Sequence, residues 1–482
     1  MKTPSVTRVT GPQSRCQFSI EWVDITPPAG IYHRMWGAAK HERASGVHRP
    51  LRATVAMFAP IQNSDAHCQI VLALDHCVMG ALEHEAMVAS IAKISGESRD
   101  SILVVFSHTH GAGLMGLDRV DNPGGDLIPS YLQELAERSA GLVKRCRLSL
   151  QPADIVYGTG RCALAAHRDF WDGERNQFVC GTNPGGPADD TVVVARFSAR
   201  NGESLASVVN YACHPTTLAW DNSLISPDYV GALRELVERE TGAPCLFLQG
   251  ASGELGPLEG FVGDPAIADK NGRELGYAAL SALTALPPAG KAFCYRGPVV
   301  SGATLGAWDY QPLTSDELSA LEIFHTLRWK ESLSYREEMP TIQDTEAALM
   351  DCLAHEKAAR AEANLIQTEE HRALAERKKR LLTRLKQLPP GATFPLQVAV
   401  WSIGGGVWIG VQGESYSVLQ MALRERFPNK AIVLASIAAD WGASYLPPRE
   451  LYGTGIYQES IAIVAAGSLE QLIESIAVHL SL

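Results

Sequence analysis

The sequence has no pair of cysteines spaced as CxxC, although ten cysteines are scattered from Cys16 to Cys352. That scatter argues against a disulfide framework or a thiolate zinc site and leaves thiols expected to be reduced core residues. No stretch is apolar for long enough to span a bilayer, and residues 1–8 lack the apolar core that a signal peptide needs. A cytoplasmic protein with no stable membrane anchoring is therefore expected. Basic clusters are missing too. With 42 Lys and Arg against 53 Asp and Glu, the formal net charge is -11, which argues against nucleic acid or an anionic membrane as a partner. Internal repeats and low-complexity linkers are also absent, so one large domain carrying an insertion is expected rather than a string of domains.

What is there is an ordinary globular composition, 46% hydrophobic and 20% charged over 482 residues, enough to bury a large core. The most informative stretch is Phe106-Ser107-His108-Thr109-His110-Gly111-Ala112-Gly113, after the apolar run Ile102-Leu103-Val104-Val105. The run reads as a short buried strand and the glycines as the start of a loop. Side chains at i and i+2 of a strand share a side, so His108 and His110 are expected to leave the strand end together. Two imidazoles so placed can hold a metal, or one can hold it while the other handles protons. Two hydrogen-bonded histidines at a strand end would fit the motif equally well.

Taken in order, residues 17–59 read as a β-rich opening segment, 70–75 as a strand and 80–94 as a helix. With the strand from Ile102 these form a β-α-β unit, with His108 at the sheet edge where ligands bind. A helix is expected over 129–148 and strands over 191–197 and 205–211, the second running into Cys213-His214-Pro215-Thr216-Thr217. A helix over 227–240 and a strand over 245–248 lead to the glycine-rich turn Gln249-Gly250-Ala251-Ser252-Gly253. The segment 314–388 contains no glycine and is rich in Glu, Lys, Arg and Ala. It reads as two helical arms broken at Met339-Pro340, an insertion whose charge is a solvated face and which is assigned no chemistry. Beyond it come paired strands over 396–403 and 407–411, Gln412-Gly413-Glu414, a helix over 415–427, a strand over 432–436 and a closing helix over 459–480. The expected fold class is α/β, with mixed sheets flanked by helices. Residues 1–313 and 389–482 form one catalytic domain, and 314–388 are a helical insertion, a candidate hairpin for a lid or a homo-oligomer contact.

Several of these blocks resemble one family, the neutral non-lysosomal ceramidases, over its catalytic domain. His108-Thr109-His110 resembles the family's paired-histidine motif. His214-Pro215-Thr216-Thr217 with Ser226-Pro227-Asp228 is similar to its second block, and Gln412-Gly413-Glu414 to its Pro-Gly-Glu block. Tyr445 and Tyr457 keep the spacing of its two tyrosines, and Met35-Trp36-Gly37 with Gly46-Val47-His48-Arg49-Pro50-Leu51-Arg52 is similar to its opening motif. The resemblance implies that His108, His214, Glu414 and Tyr445 bind a catalytic Zn2+, and that His110, Arg168 and Tyr457 serve the reaction, with Arg161 a competitor for the arginine. It places Gly250, Ser252 and Asp228 by the substrate. Two departures stand out. Gly250 takes the place of a family serine, with Ser252 displaced by two, and the chain ends where the family's C-terminal immunoglobulin-like domain would begin.

Two imidazoles, a carboxylate and a phenol suit zinc on their own chemistry. Each also has a plain reading: His214 as a strand cap, Glu414 favoured by a helix N-terminus, the tyrosines as half-buried side chains. The leading expectation is a zinc-dependent hydrolase of an amide, or an ester, in a small soluble N-acyl-type substrate, using a metal-activated water. The alternatives are a catalytically inactive scaffold that binds a ligand or partner, and a metal-dependent phosphoesterase.

Overall fold

Strands that read as unbroken apolar runs do so because both of their faces are covered. In the computed structural model, which describes residues 6–62 and 68–481, the strand Gln69–Leu74 is buried throughout. Ile70, Leu72 and Leu74 face one apolar core, and Val71 and Ala73 face another. Residues 1–5 of the N-terminal stretch read above lie outside the described residues.

The larger sheet runs in the order Cys245–Gln249, Ser204–Tyr211, Thr191–Ala199, Gln151–Arg161, Gln13–Asp24, Arg52–Ala59, Gln69–Leu74, Ile102–Phe106. Its two edge pairs are parallel and its centre is antiparallel. A second sheet orders Phe324–Ser334, Thr393–Ile403, Gly406–Val411 and Ala431–Ala435, the last two parallel. The two pack face to face over an aromatic core that includes Phe18, Phe58, Phe197, Trp401 and Trp408. Helices cover the outer faces. Ala81–Ser95 and Ile128–Leu148 cover one half of the larger sheet, and Tyr229–Thr241 and Pro265–Thr284 the other. Val418–Arg426 and Ser468–Ser481 cover the smaller sheet. The layers are therefore helix, sheet, sheet, helix, a mixed-sheet α/β fold. Among the described residues no helix is long and apolar enough to cross a membrane.

The segment 314–388 differs from its reading as two helical arms. Phe324–Ser334 is a strand, antiparallel to Thr393–Ile403 at the edge of the smaller sheet, so this part of the segment belongs to the body. Its apolar residues, Phe324, Leu327, Trp329 and Leu333, are too few for a clear period-2 signal. The two long helices are Ile342–Ala361 and Leu365–Gln387. They turn at 362–364, where Ala363 is left-handed and Asn364 caps the second helix, and not at Pro340, which precedes the first. The Lys386–Glu346 ion pair and the stacking of His355 on His371 set them antiparallel. The closing helix is also split, into Tyr457–Ile461 and Ser468–Ser481.

Candidate metal centre and active site

Three parallel strand pairs point their carboxyl ends at one place. His108 follows Ile102–Phe106, His214 follows Ser204–Tyr211, and Glu414 follows Gly406–Val411. Asn210 ties the layers together there, donating to Leu248 O at 2.9 Å in one sheet and Leu434 O at 2.8 Å in the other. Glu414 and Tyr445 are register partners in a two-residue parallel ladder, which sets them side by side. The turn before Glu414 requires glycine. Gly413 has φ +88°, and a Cβ on it would lie 2.8 Å from Ser444 O.

The expectation that His108 and His110 leave a strand on one side fails, because the strand ends at Phe106. His108 is left-handed, with φ +67°, and His110 opens a short 3-10 turn. The rings meet nevertheless, 5.0 Å apart and nearly perpendicular, and His108 lies 4.7 Å from His214.

Carbonyl groups fix the tautomers, since a carbonyl can only accept. His108 Nδ1 donates to Cys77 O at 2.7 Å, and His214 Nδ1 to Ser252 O at 2.7 Å and Leu255 O at 3.1 Å. The Nε2 atoms then converge on one oxygen, Glu414 Oε2, at 3.4 Å from His108 and 3.1 Å from His214. Burial pushes the His214 pKa down to about 3, so near neutral pH its Nε2 presents a lone pair to a carboxylate oxygen. Two acceptors at that distance repel unless a cation lies between them. The spacing fits one: tetrahedral ligands at about 2.0–2.1 Å from zinc stand roughly 3.3 Å from each other. Burial opposes charge on His108, but Cys77 and Glu414 outweigh it and hold its pKa well above the usual value. Glu414, despite burial, is held well below the carboxylate range by His108 and His214.

Beside this cluster Tyr445 lies 6.3 Å from His214, ring to ring and nearly parallel. Arg168, on the strand Ala165–Asp172, donates to Tyr445 Oη at 3.0 Å and Gly253 O at 2.6 Å, and its buried Nε has no partner among the described residues. Tyr457 packs 5.8 Å from Tyr445 and is 42% exposed, at the opening of the site. Burial drives the Tyr445 phenol well above its usual pKa, with Arg168 opposing. His110 Nε2 is buried without a partner among the described residues, and burial with His108 and His214 holds the ring well below its usual pKa.

No protein-family model matches the chain. Among curated proteins it is similar to the neutral ceramidase of Pseudomonas aeruginosa, 23% identical over 260 residues, which is 50% of this chain and 37% of that protein. Neutral ceramidase B of Dictyostelium discoideum is 23% identical over 236 residues, 46% of this chain and 31% of that protein. The alignments thus span about a third of the length of those relatives. Two solved structures, a ceramidase complexed with C2 and the neutral ceramidase of Pseudomonas aeruginosa, superpose with TM-scores of 0.64 and 0.62 at 16% identity. They cover 98% of this chain and 76% and 75% of theirs. The chain has the fold of the neutral ceramidases.

The ceramidase-like fold also shows where the remaining expected residues sit. Arg161 is exposed and paired with Asp190, which leaves Arg168 as the arginine of the site. Gly250, expected beside the substrate, is instead packed against the body. A Cβ there would lie 2.8 Å from Gln420 Oε1 and 3.2 Å from Ala212. Asp228 does not line the opening either: it is fully buried, caps the helix Tyr229–Thr241 and accepts from Leu218 N at 2.8 Å. Ser252 stands behind His214, its carbonyl on Nδ1 and its Oγ 3.3 Å from the same nitrogen, so it orients the imidazole.

Of three further side chains at this site, Trp36 falls within the resembling opening motif, and Cys77 and Arg384 carried no readable signal. Cys77 forms a second candidate metal group with His108 and His110. Trp36 packs 5.1 Å from His110. Arg384, from the second insertion helix, is buried over Trp441 at 4.7 Å, donates to Ile461 O at 3.3 Å and feels the charges of Glu414, Tyr457 and Tyr445. The insertion was assigned no chemistry. Strand-end motifs and the order of blocks within a resembling family singled out site residues, and neither falls in that insertion.

Proposed function

We propose that the chain is a zinc-dependent hydrolase of the amide bond in a small N-acyl-type molecule, with esters as slower substrates. The observation that supports it is the meeting of His108 Nε2, His214 Nε2 and Glu414 Oε2 at one point, beside the His110 imidazole and the Arg168 guanidinium. The similar curated proteins are named as ceramidases, and ceramide joins its acyl group through an amide.

His108, His214 and Glu414, with Tyr445 as the neighbouring oxygen, would hold a zinc ion, which would supply Lewis acidity and lower the pKa of a water toward neutral. His110, neutral because of its burial, accepts the proton of the attacking water at Nε2 and returns it to the leaving nitrogen. Arg168 Nε–H and the Tyr457 hydroxyl donate to the carbonyl oxygen as it gains charge. Ser252 and Leu255 hold His214, and Cys77 holds His108, through their carbonyls. No serine nucleophile is needed, so Gly250 does not block the route.

The test is a panel of N-acyl amines, simple esters and phosphoesters offered to zinc-loaded and chelator-treated protein. Zinc-dependent release of amine is expected, with ester cleavage slower. Zinc bound tightly with no turnover across the panel would favour a binding scaffold, and cleavage confined to phosphoesters would favour a phosphoesterase.

A further inference from the structure

Three aromatic rings stand in series on the His110 side of the site, and no step above uses them. Trp36 lies 5.1 Å from the His110 ring. It meets Trp220 at 6.2 Å and Phe261 at 5.7 Å, both nearly perpendicular to it, and those two stack on each other at 6.4 Å and 17°. Trp220 is 38% exposed and Trp36 and Phe261 are partly buried, so the wall runs from the reacting imidazole out to solvent.

The wall is built deliberately. Trp220 and Phe261 come from two loops joined by a bridge between Leu218 and Val262, with Phe261 N donating to Thr216 O at 2.9 Å. Phe261 holds φ +58°, a conformation that is strained for a bulky residue and persists where surroundings or function demand it. Trp36 Nε1 is a buried donor with no partner among the described residues. Water alone would not favour leaving these rings uncovered.

We infer that this wall is the specificity subsite for the amine half of the substrate and that it takes a flat aromatic group. This rests on the hydrolase reading and extends it. His110 protonates the leaving nitrogen in that reading, so the group on nitrogen projects along the rings that flank His110. Stacked and edge-to-face rings receive another ring better than a flexible alkyl chain, because ring quadrupoles add to the apolar burial. The substrate class is therefore an N-acyl arylalkylamine. In its hydrolysis the C–N bond breaks, a C–O bond forms from water, and one proton of that water leaves on the amine.

The experiment compares kcat/KM of the zinc-loaded enzyme on N-acetyl-2-phenylethylamine and N-acetylethylamine, and titrates 2-phenylethylamine against ethylamine by calorimetry. The aryl substrate should be preferred by about tenfold or more, mostly in KM. Trp220→Ala should collapse that ratio, Trp220→Phe should restore most of it, and Trp308→Ala, on a hairpin outside the site, should leave it in place. Turnover with no aryl preference, or a preference that survives Trp220→Ala, would overturn the subsite and leave the hydrolase standing. Absence of all amide turnover would instead remove the hydrolase. The subsite would then be judged by the calorimetry, where equal binding of the two amines overturns it and tighter aryl binding lost in Trp220→Ala supports it.

Discussion

The strand ends that carry His108, His214 and Glu414 and the helical hairpin of Ile342–Ala361 and Leu365–Gln387 use charge in opposite ways. At the strand ends backbone carbonyls take the Nδ1 protons, so both Nε2 atoms turn toward one Glu414 oxygen in a group that could hold a cation. On the hairpin the contact with the body is built largely from charges that have counter-charges, Arg384 being the buried exception. Arg119 meets Glu376 at 2.8 Å, Arg380 meets the same carboxylate at 2.7 Å, and Arg372 pairs with Glu42. A cleft of ≈ 740 Å³ between hairpin and body shows that the contact rests more on these pairs than on close packing. A polar cluster left short of positive charge marks chemistry; a balanced one marks attachment.

Removing an imidazole from the first region should have the largest effect. His214→Ala is expected to lower amide turnover by more than about a thousandfold, several kcal/mol of lost Lewis-acid stabilisation, while the circular dichroism spectrum is kept. Steady-state kinetics at saturating zinc checks it.

Breaking the second region should leave the metal in place. Glu376→Ala leaves Arg119, which is 2% exposed, with Asp118 as its remaining carboxylate, and should cost about 3 kcal/mol of hairpin docking, the low end for breaking a buried pair. Limited proteolysis near 362–364 reads the loss. The wild-type pair has a pH signature. Burial would raise the Glu376 pKa, but Arg380 and Arg119 hold it down to about 2. A carboxylate lowered in the folded state stabilises fully above its unfolded pKa and loses that as pH falls through the folded value. Hairpin protection should thus be complete above about pH 4.5 and fade toward pH 2.

A smaller effect should separate positioning from metal binding. Arg168→Lys keeps the charge but loses the planar N–H toward the carbonyl oxygen, so kcat should fall about a hundredfold with zinc content unchanged. Kinetics paired with elemental analysis shows it. Gly250→Ala should give the smallest change. The added Cβ presses on Gln420 and Ala212, a cost of about 1–3 kcal/mol read as a lower Tm, with the substrate KM unaffected.

The apolar strands and long amphipathic helices were legible because their residues report burial directly, as the run from Ile70 to Leu74 does. His108, His110, His214 and Glu414 were legible as candidates because each ends a recognisable strand. The paths between those strand ends were not. His108, Asp228, Phe261, Ile437, Ala439 and Ser444 all take left-handed backbone around the site, a geometry their residue types do not announce. The same limit hid the ladder that pairs Glu414 with Tyr445. Gly250 illustrates the reverse error, a glycine read as room for a ligand when it is room for Ala212 and Gln420. In the insertion, charge read as a solvated face concealed that Glu376 and Arg384 are buried.

X-ray absorption at the zinc edge of the purified protein tests the central claim most directly, because two groups sharing His108 compete for the ion. The account predicts a first shell of nitrogen and oxygen at about 2.0–2.1 Å with two imidazoles, from His108, His214 and Glu414. Sulfur at about 2.3 Å would place the ion on Cys77 and contradict it, as would protein that retains no zinc.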